Sequence, residues 1–312
     1  MPQAQSNGIR LEYEVLGSRD REPLLMIHGV GAQLIQWPQG LCDSLVSAGF
    51  RVIRYDSRDT GLSTHFDGAP IPDPAAVFAA RRRGEEPSLP YTISDMAADA
   101  AGLLDALEIE RAHVLGVSLG GQVAQALAIE HPGRVLSLAL MMTYSGNPEV
   151  APASPTALAG VTSTGLPQNE ETILQNAVDM ARSIGSPAYP AAETVIRERA
   201  LAVARRAHHP AGAARHLAAG RGAPDRRKGL QALAIPTLVI HGDCDPLVPP
   251  ACGRDIARNV KGALMLGIDG MGHDMPPELF YTFVSAVAAN ARRVIPDPWP
   301  RAAVTPVSQP PR

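Results

Sequence analysis

Cysteine is scarce in this sequence, with three in 312 residues: Cys42, Cys244 and Cys252. They form no Cys-x-x-Cys pair and no zinc-like spacing with histidine, so a disulfide framework or structural metal is not expected. Cys244, between two aspartates, is expected to be a small packed residue. Aromatic residues make up only 4%, while Ala, Arg, Pro and Gly abound. In so biased a composition the Arg81-Arg82-Arg83 triplet is expected to be a solvated face, not an anion site. Neither sign of charge dominates. A formal net charge of −3 gives no electrostatic reason to expect nucleic acid or an acidic membrane as partner. Long apolar runs are missing too: no stretch could span a bilayer, and residues 1–8 lack the basic start and apolar run of a secretory leader. The expectation is a cytoplasmic monomer or homodimer, with no membrane or nucleic-acid partner, acting on a small molecule.

What is present is 45% hydrophobic residues, enough for one large core or a core carrying an insertion. Short apolar runs bounded by Gly, Pro and Asp alternate with helical patterns, which predicts an α/β protein with a mostly parallel sheet. Strands are predicted at 24–27, 52–55, 113–117, 136–141, 237–240 and 264–266, with an opening strand or hairpin at 9–16. Apolar spacing at three and four residues predicts helices at 93–107, 120–130 and 279–291. A long surface loop with a short helix is expected at 66–89. The alternation breaks after Met142. Residues 143–227 are expected to form a helical cap or lid insertion, with helices at 170–184 and 192–207, leaving 1–142 and 228–295 as core. The stretch 296–312 is expected to be an extended Pro-rich tail.

Chemistry enters at Gly116-Val117-Ser118-Leu119-Gly120, a G-x-S-x-G lying between a predicted strand and a predicted helix. The glycines permit a sharp turn that lifts the Ser118 hydroxyl out of the sheet, over a helix N-terminus that favours an anion. A serine hydroxyl needs a base within hydrogen-bond reach, and that base needs an orienting group. The last third supplies candidates for both: Asp243-Cys244-Asp245 follows one strand, and Gly270-Met271-Gly272-His273-Asp274 follows another. Carboxylate and imidazole would leave the same end of neighbouring strands, in the order Ser, Asp, His.

The sequence thus resembles the α/β-hydrolase family over nearly the whole chain outside the insertion and tail. The resemblance implies the α/β-hydrolase fold with an eight-stranded sheet, Ser118 as nucleophile, His273 as base and Asp245 as acid, with Asp243 the nearby competitor. His28-Gly29-Val30-Gly31 resembles the family's oxyanion loop, which implies backbone N–H donors at Val30 and Leu119. Asp56 and Arg58, in Asp56-Ser57-Arg58-Asp59-Thr60-Gly61-Leu62-Ser63, are read as loop scaffolding. Two further stretches, 53–61 and 98–105, resemble actinobacterial esterases of the aclacinomycin methylesterase type, which act on secondary metabolites.

The expected reaction is hydrolysis of an ester, such as a bulky secondary-metabolite ester or macrolactone, through an acyl-enzyme and without a cofactor or metal. Gln33, Trp37, Tyr144, Leu247 and Met275 are expected near the substrate pocket. Serine at position 118 excludes the alkyl-enzyme route of epoxide hydrolases and haloalkane dehalogenases of this fold, which use aspartate there. A cofactor-free haloperoxidase or perhydrolase, and a proline iminopeptidase-like amidase with Glu170, Glu171, Glu193 or Glu198 meeting the substrate amine, are the alternatives within the fold. A ligand-binding receptor that keeps the pocket without turnover is the non-enzymatic one. The remaining histidines, His28, His241 and His216 among them, are read as structural.

Overall fold

The computed structural model describes residues 1–150 and 169–294. The Pro/Gly/Ser-rich start of the expected insertion, 151–168, and the Pro-rich tail lie outside the described residues. The chain opens with a hairpin of β1 (Gln3–Ser6) and β2 (Ile9–Leu16). Asn7 and Gly8 connect them, both at positive φ (47° and 78°), as a two-residue turn matched to strand twist requires. Then follow β3 (Glu22–Ile27), β4 (Phe50–Tyr55), β5 (Ala112–Val117), β6 (Val135–Met141), β7 (Thr237–Gly242) and β8 (Leu264–Ile268). All eight form one sheet in the order β1-β2-β4-β3-β5-β6-β7-β8. The pairings from β4 to β8 are parallel, and those of β1 with β2 and β2 with β4 are antiparallel.

Each predicted strand is present: the opening strand keeps its bounds at Ile9–Leu16, and the others extend by one or two residues at one end. The central strands are apolar without alternation because both faces are covered. Leu24 and Met26 of β3 enter one core with Leu41, Leu45, Phe283 and Val287, while Leu25 and Ile27 enter the opposite core with Leu103, Val123 and Ile256. The same two-residue alternation divides Leu138 and Leu140 from Ala139 and Met141 on β6. One core is closed by α1 (Gln39–Ser47) and the C-terminal helix Phe280–Ala291. The other is closed mainly by α3 (Ile93–Ala106) and α4 (Leu119–Glu130). A reciprocal cap starts α3: Thr92 Oγ1 accepts the Asp95 N–H at 3.2 Å and Asp95 Oδ2 accepts the Thr92 N–H at 2.8 Å.

The long loop after β4 holds the short helix expected of it, α2 (Pro74–Arg82), capped by Asp73. Arg82 and Arg83 are exposed as expected of the basic triplet. Arg81 differs, donating through Nε (2.8 Å) and a terminal nitrogen (2.6 Å) to Gly222 O. Between β6 and β7 come α5 (Glu170–Ile184), α6 (Glu193–Arg206), α7 (Pro210–Gly222) and the short α8 (Arg227–Gln231); α9 (Pro250–Asn259) joins β7 to β8, and Phe280–Ala291 is α10. Helix α7 was not anticipated. Its Ala- and Gly-rich sequence carries little amphipathic signal, yet Ala219 packs into the α3/α4 core and Ala218 is buried beside it in the chain, because small residues allow close approach.

Topology locates the site. The chain passes from β3 to β4 on one side, then crosses to β5 on the other, so a crevice opens between the C-terminal ends of β3 and β5. Open α/β sheets bind ligands at such a point. The loop 28–31 and Ser118 leave from these two strands.

Candidate active site

Ser118 joins β5 directly to α4 at φ 55°, ψ −120°. A serine rarely occupies that left-handed region, and holding it there costs about 1–3 kcal/mol. The surroundings over-determine the turn: Ser118 N–H donates to Met141 O (3.0 Å), and Ser118 O accepts from Gly121 N–H (3.0 Å) and Thr143 Oγ1 (2.6 Å). Gly29 lies against it. A methyl carbon at Gly29 would fall 3.2 Å from Ser118 Cβ, so a side chain there would push the loop 28–31 or Ser118 aside by a few tenths of an ångström.

His273 Nε2 lies 3.1 Å from Ser118 Oγ, and His273 Nδ1 lies 2.7 Å from Asp245 Oδ2. Asp245 is 4% exposed, and its other oxygen accepts the N–H groups of Leu247 (2.9 Å) and Val248 (2.8 Å). A buried carboxylate so satisfied has one oxygen left for the imidazole. Asp243 is engaged elsewhere, accepting the Gly270 N–H at 2.7 Å and so tying the acid turn to the histidine loop. Cys244, expected to be packed, is exposed: Asp245 turns inward and leaves its neighbour at the tip of the turn. His241 braces this turn through Val248 O (2.8 Å).

Among the described residues, neither the Val30 nor the Leu119 N–H donates to a protein acceptor. The two adjacent N–H groups of the loop are used: Gly29 N–H donates to His28 Nδ1 (2.7 Å), and Gly31 N–H to His216 Nδ1 (3.1 Å). His216 comes from α7, is fully buried, and also contacts Arg58 O through Nε2 (2.7 Å). Nothing in the sequence marked it, since its partners lie 158 and 185 residues away.

The other sequence-marked loop residues form struts. Asp56 accepts from Leu34 N–H (2.7 Å), Leu62 N–H (2.9 Å) and Arg206 (2.7 Å). Arg58 pairs with buried Asp99 (2.6 Å). Asp59 accepts from Arg215 (2.5 and 2.9 Å), Tyr91 Oη (2.9 Å) and Phe66 N–H (2.9 Å). Burial alone would raise the Asp59 carboxyl, but Arg215, the Phe66 N–H and the Tyr91 hydroxyl hold it below the usual carboxylate range.

A cavity of about 1160 Å³ opens over Ser118 and His273. Its described wall includes all five expected pocket residues, Gln33, Trp37, Tyr144, Leu247 and Met275, with Ile173, Met180 and Ile184 from α5 and Ile196 and Val203 from α6. Gln33 reaches it as another strut, donating its amide to Val203 O (3.0 Å) and Ala207 O (2.7 Å) and accepting from Arg206 (2.8 Å). The four glutamates considered for amine recognition are exposed and absent from this wall, and three pair with arginines: Glu171 and Glu193 with Arg197, and Glu170 with Arg205. His65, Asp67 and His209 lie within 4.8 Å of one another. The two imidazoles stack face to face, 3.9 Å apart and 6° from parallel, with their Nε2 atoms engaged by Gly61 O and Asp59. Parallel rings aim their lone pairs side by side, which does not suit a shared metal ion.

Burial lowers both His28 and His216 from the ordinary 6.5 to about 4, so both are neutral at pH 7. Below pH 6.5 the unfolded chain takes up protons that the folded chain refuses. Stability is therefore whole above pH 6.5 and falls as the pH drops toward 4, at up to about 1.4 kcal/mol per pH unit for each histidine. The thermal midpoint should fall steadily from pH 7 to pH 5. A flat profile there, or one unchanged by His216→Gln, would contradict the neutral, buried assignment.

Among the described residues no helix is long and apolar enough to cross a membrane. The family profile described as alpha/beta hydrolase fold matches residues 22–278. The chain is 30% identical to rhodomycin D methylesterase DnrP of Streptomyces peucetius over 302 residues, covering 91% of this chain and 95% of the relative. It is 30% identical, with the same coverage, to rhodomycin D methylesterase DauP of Streptomyces sp. strain C5. Among solved structures, the enol-lactonase of Burkholderia xenovorans LB400 superposes with a TM-score of 0.70 at 28% identity, covering 93% of this chain and 100% of that one. The mostly parallel eight-stranded sheet, the superposition on a solved relative and the extent of these matches lead to one conclusion: the chain belongs to the α/β-hydrolase family, as one of its hydrolases.

Proposed function

We propose that the protein is a serine carboxylesterase that cleaves an ester or lactone on a bulky, largely apolar body. The observation that carries this reading is the continuous hydrogen-bond path from Ser118 Oγ through His273 to Asp245, beside the N–H groups of Val30 and Leu119, which have no acceptor among the described residues. His273 Nε2 takes the hydroxyl proton as Ser118 Oγ attacks the ester carbonyl carbon. Negative charge gathers on the carbonyl oxygen, where the Val30 and Leu119 N–H groups receive it. The imidazolium, stabilised by Asp245, passes its proton to the departing alcohol. Water then repeats the sequence on the acyl-Ser118 ester and frees the acid.

Two features support a bulky substrate. The cavity, about 1160 Å³, exceeds the usual range for small-molecule sites, about 300–1,000 Å³. The methylesterases DnrP and DauP, named for rhodomycin D, match across nearly the whole chain. The helical residues within 143–227, read as a cap, supply the part of the wall that would choose the substrate. An amidase recognising a free amine lacks support, because no glutamate considered for that role lies on the cavity wall.

Treatment with a fluorophosphonate should label Ser118 stoichiometrically, and a p-nitrophenyl ester should give a burst of p-nitrophenol equal to the enzyme present. Methanol release from bulky methyl esters, compared with that from methyl acetate, tests the substrate class. Neither label nor burst would leave a binding protein of the same fold.

A further inference from the structure

The loop carrying His273 is gripped from outside the sheet. His273 N–H donates to Ile184 O (2.6 Å) at the end of α5, and Ala188 N–H donates to Gly270 O (3.1 Å). Between these main-chain bonds sits Ser186, 3% exposed. Its hydroxyl accepts the Gly272 N–H (2.8 Å) and donates to Asp274 Oδ1, while Asp274 Oδ2 accepts the Ser186 N–H (3.3 Å). The residues on both sides of His273 are therefore bonded to one serine. Asp245 fixes the ring through Nδ1, but the path of the backbone bearing that ring is held by this strap.

We propose that Ser186 and Asp274 are positioning residues, which couple the seating of α5 to the geometry of His273. The inference rests on the reading of His273 as the base. A relay spanning 3.1 Å tolerates little displacement, since errors of about 1 Å in a reacting group can cost about 100-fold in rate. Helix α5 also lines the cavity through Ile173, Met180 and Ile184. A substrate body seated against α5 thus presses on the element that sets the base, so pocket and proton relay are mechanically one unit. Asp274 adds a charge. The titratable groups facing His273 are Asp245 and His241 from the β7 turn, His28 from the β3 loop, and Asp274 from its own loop. Burial raises the Asp274 carboxyl from its ordinary value, and the Ser186 hydroxyl and N–H offset part of that rise.

The test uses Ser186→Ala, Asp274→Ala and Asp274→Asn in the full chain, with a short p-nitrophenyl ester and NMR spectra of the His273 ring. Ser186→Ala and Asp274→Ala should lower kcat about 10- to 100-fold with KM within about threefold. Asp274→Asn, which can still accept from Ser186, should restore most of kcat. The His273 ring resonances should shift in the two alanine variants and return toward wild type in Asp274→Asn. Wild-type kcat with unchanged His273 ring resonances, or a loss confined to KM or to the thermal midpoint, would overturn the proposal. If the wild type neither labels nor turns over an ester while Ser186→Ala still shifts the His273 ring resonances, the strap stands and the esterase reading falls. These two failures are thereby kept apart.

Discussion

Replacing Ser118 by alanine is expected to lower ester turnover on the order of 10⁴- to 10⁶-fold, with the fold intact. The expectation comes from what alanine keeps. Its Cβ occupies the same crowded place against Gly29, and the backbone at φ 55° is neither relieved nor worsened. The Val30 and Leu119 donors stay where they are. On the proposed mechanism only the nucleophilic oxygen is gone, so the acyl-enzyme cannot form. The residue of rate that survives comes from substrate binding and oxyanion stabilisation, which by themselves still exceed water. Adding His273→Ala to the same chain should cost little more, because the two groups act on one step. Turnover within about tenfold of wild type, with the thermal midpoint unchanged, would remove Ser118 from the mechanism.

Arg215→Met is expected to destabilise the protein by about 3–5 kcal/mol, as breaking a buried ion pair does. Arg215 is 1% exposed at its side chain and Asp59 is 0%. Methionine fills a similar length but leaves the Asp59 carboxylate buried, with Tyr91, the Phe66 N–H and His209 around it and no guanidinium. The penalty is that of an uncompensated charge rather than the intrinsic worth of the pair. The double variant Asp59→Leu with Arg215→Met should therefore recover much of the loss. Urea unfolding reads both. A loss below about 1 kcal/mol for the single variant would mean that water reaches Asp59.

Much of the fold was legible because the strands are short apolar runs between helices with three- and four-residue spacing, and such runs have few places to go. The turn that bears Ser118 was legible for a local reason: Gly116 to Gly120 combines composition, strand and helix in five residues. Which aspartate meets His273 was legible only through the family resemblance. Asp243 and Asp245 flank one cysteine, and which of them faces His273 is decided by the turn, where Leu247 and Val248 N–H groups draw Asp245 inward and Gly270 N–H engages Asp243. Helix α7 and its buried polar residues were hidden for different reasons. Ala- and Gly-rich residues leave no stripe to read, and Arg215 and His216 act on partners more than 140 residues away. No local pattern encodes such a meeting; only the closed chain does.

The struts beneath α6 and α7 define what can be exchanged between relatives. A graft that replaces residues 169–222 alone would carry foreign side chains onto Gln33, Asp56 and Asp59, whose present partners are Arg206, the carbonyls of Val203 and Ala207, and Arg215. It would also leave the Gly31 N–H without His216. Retargeting by recombination thus has its natural seams elsewhere. The heritable module comprises the helices together with the loops after β3 and β4, so chimaeras cut to include both stretches should outlast those cut at the helices alone.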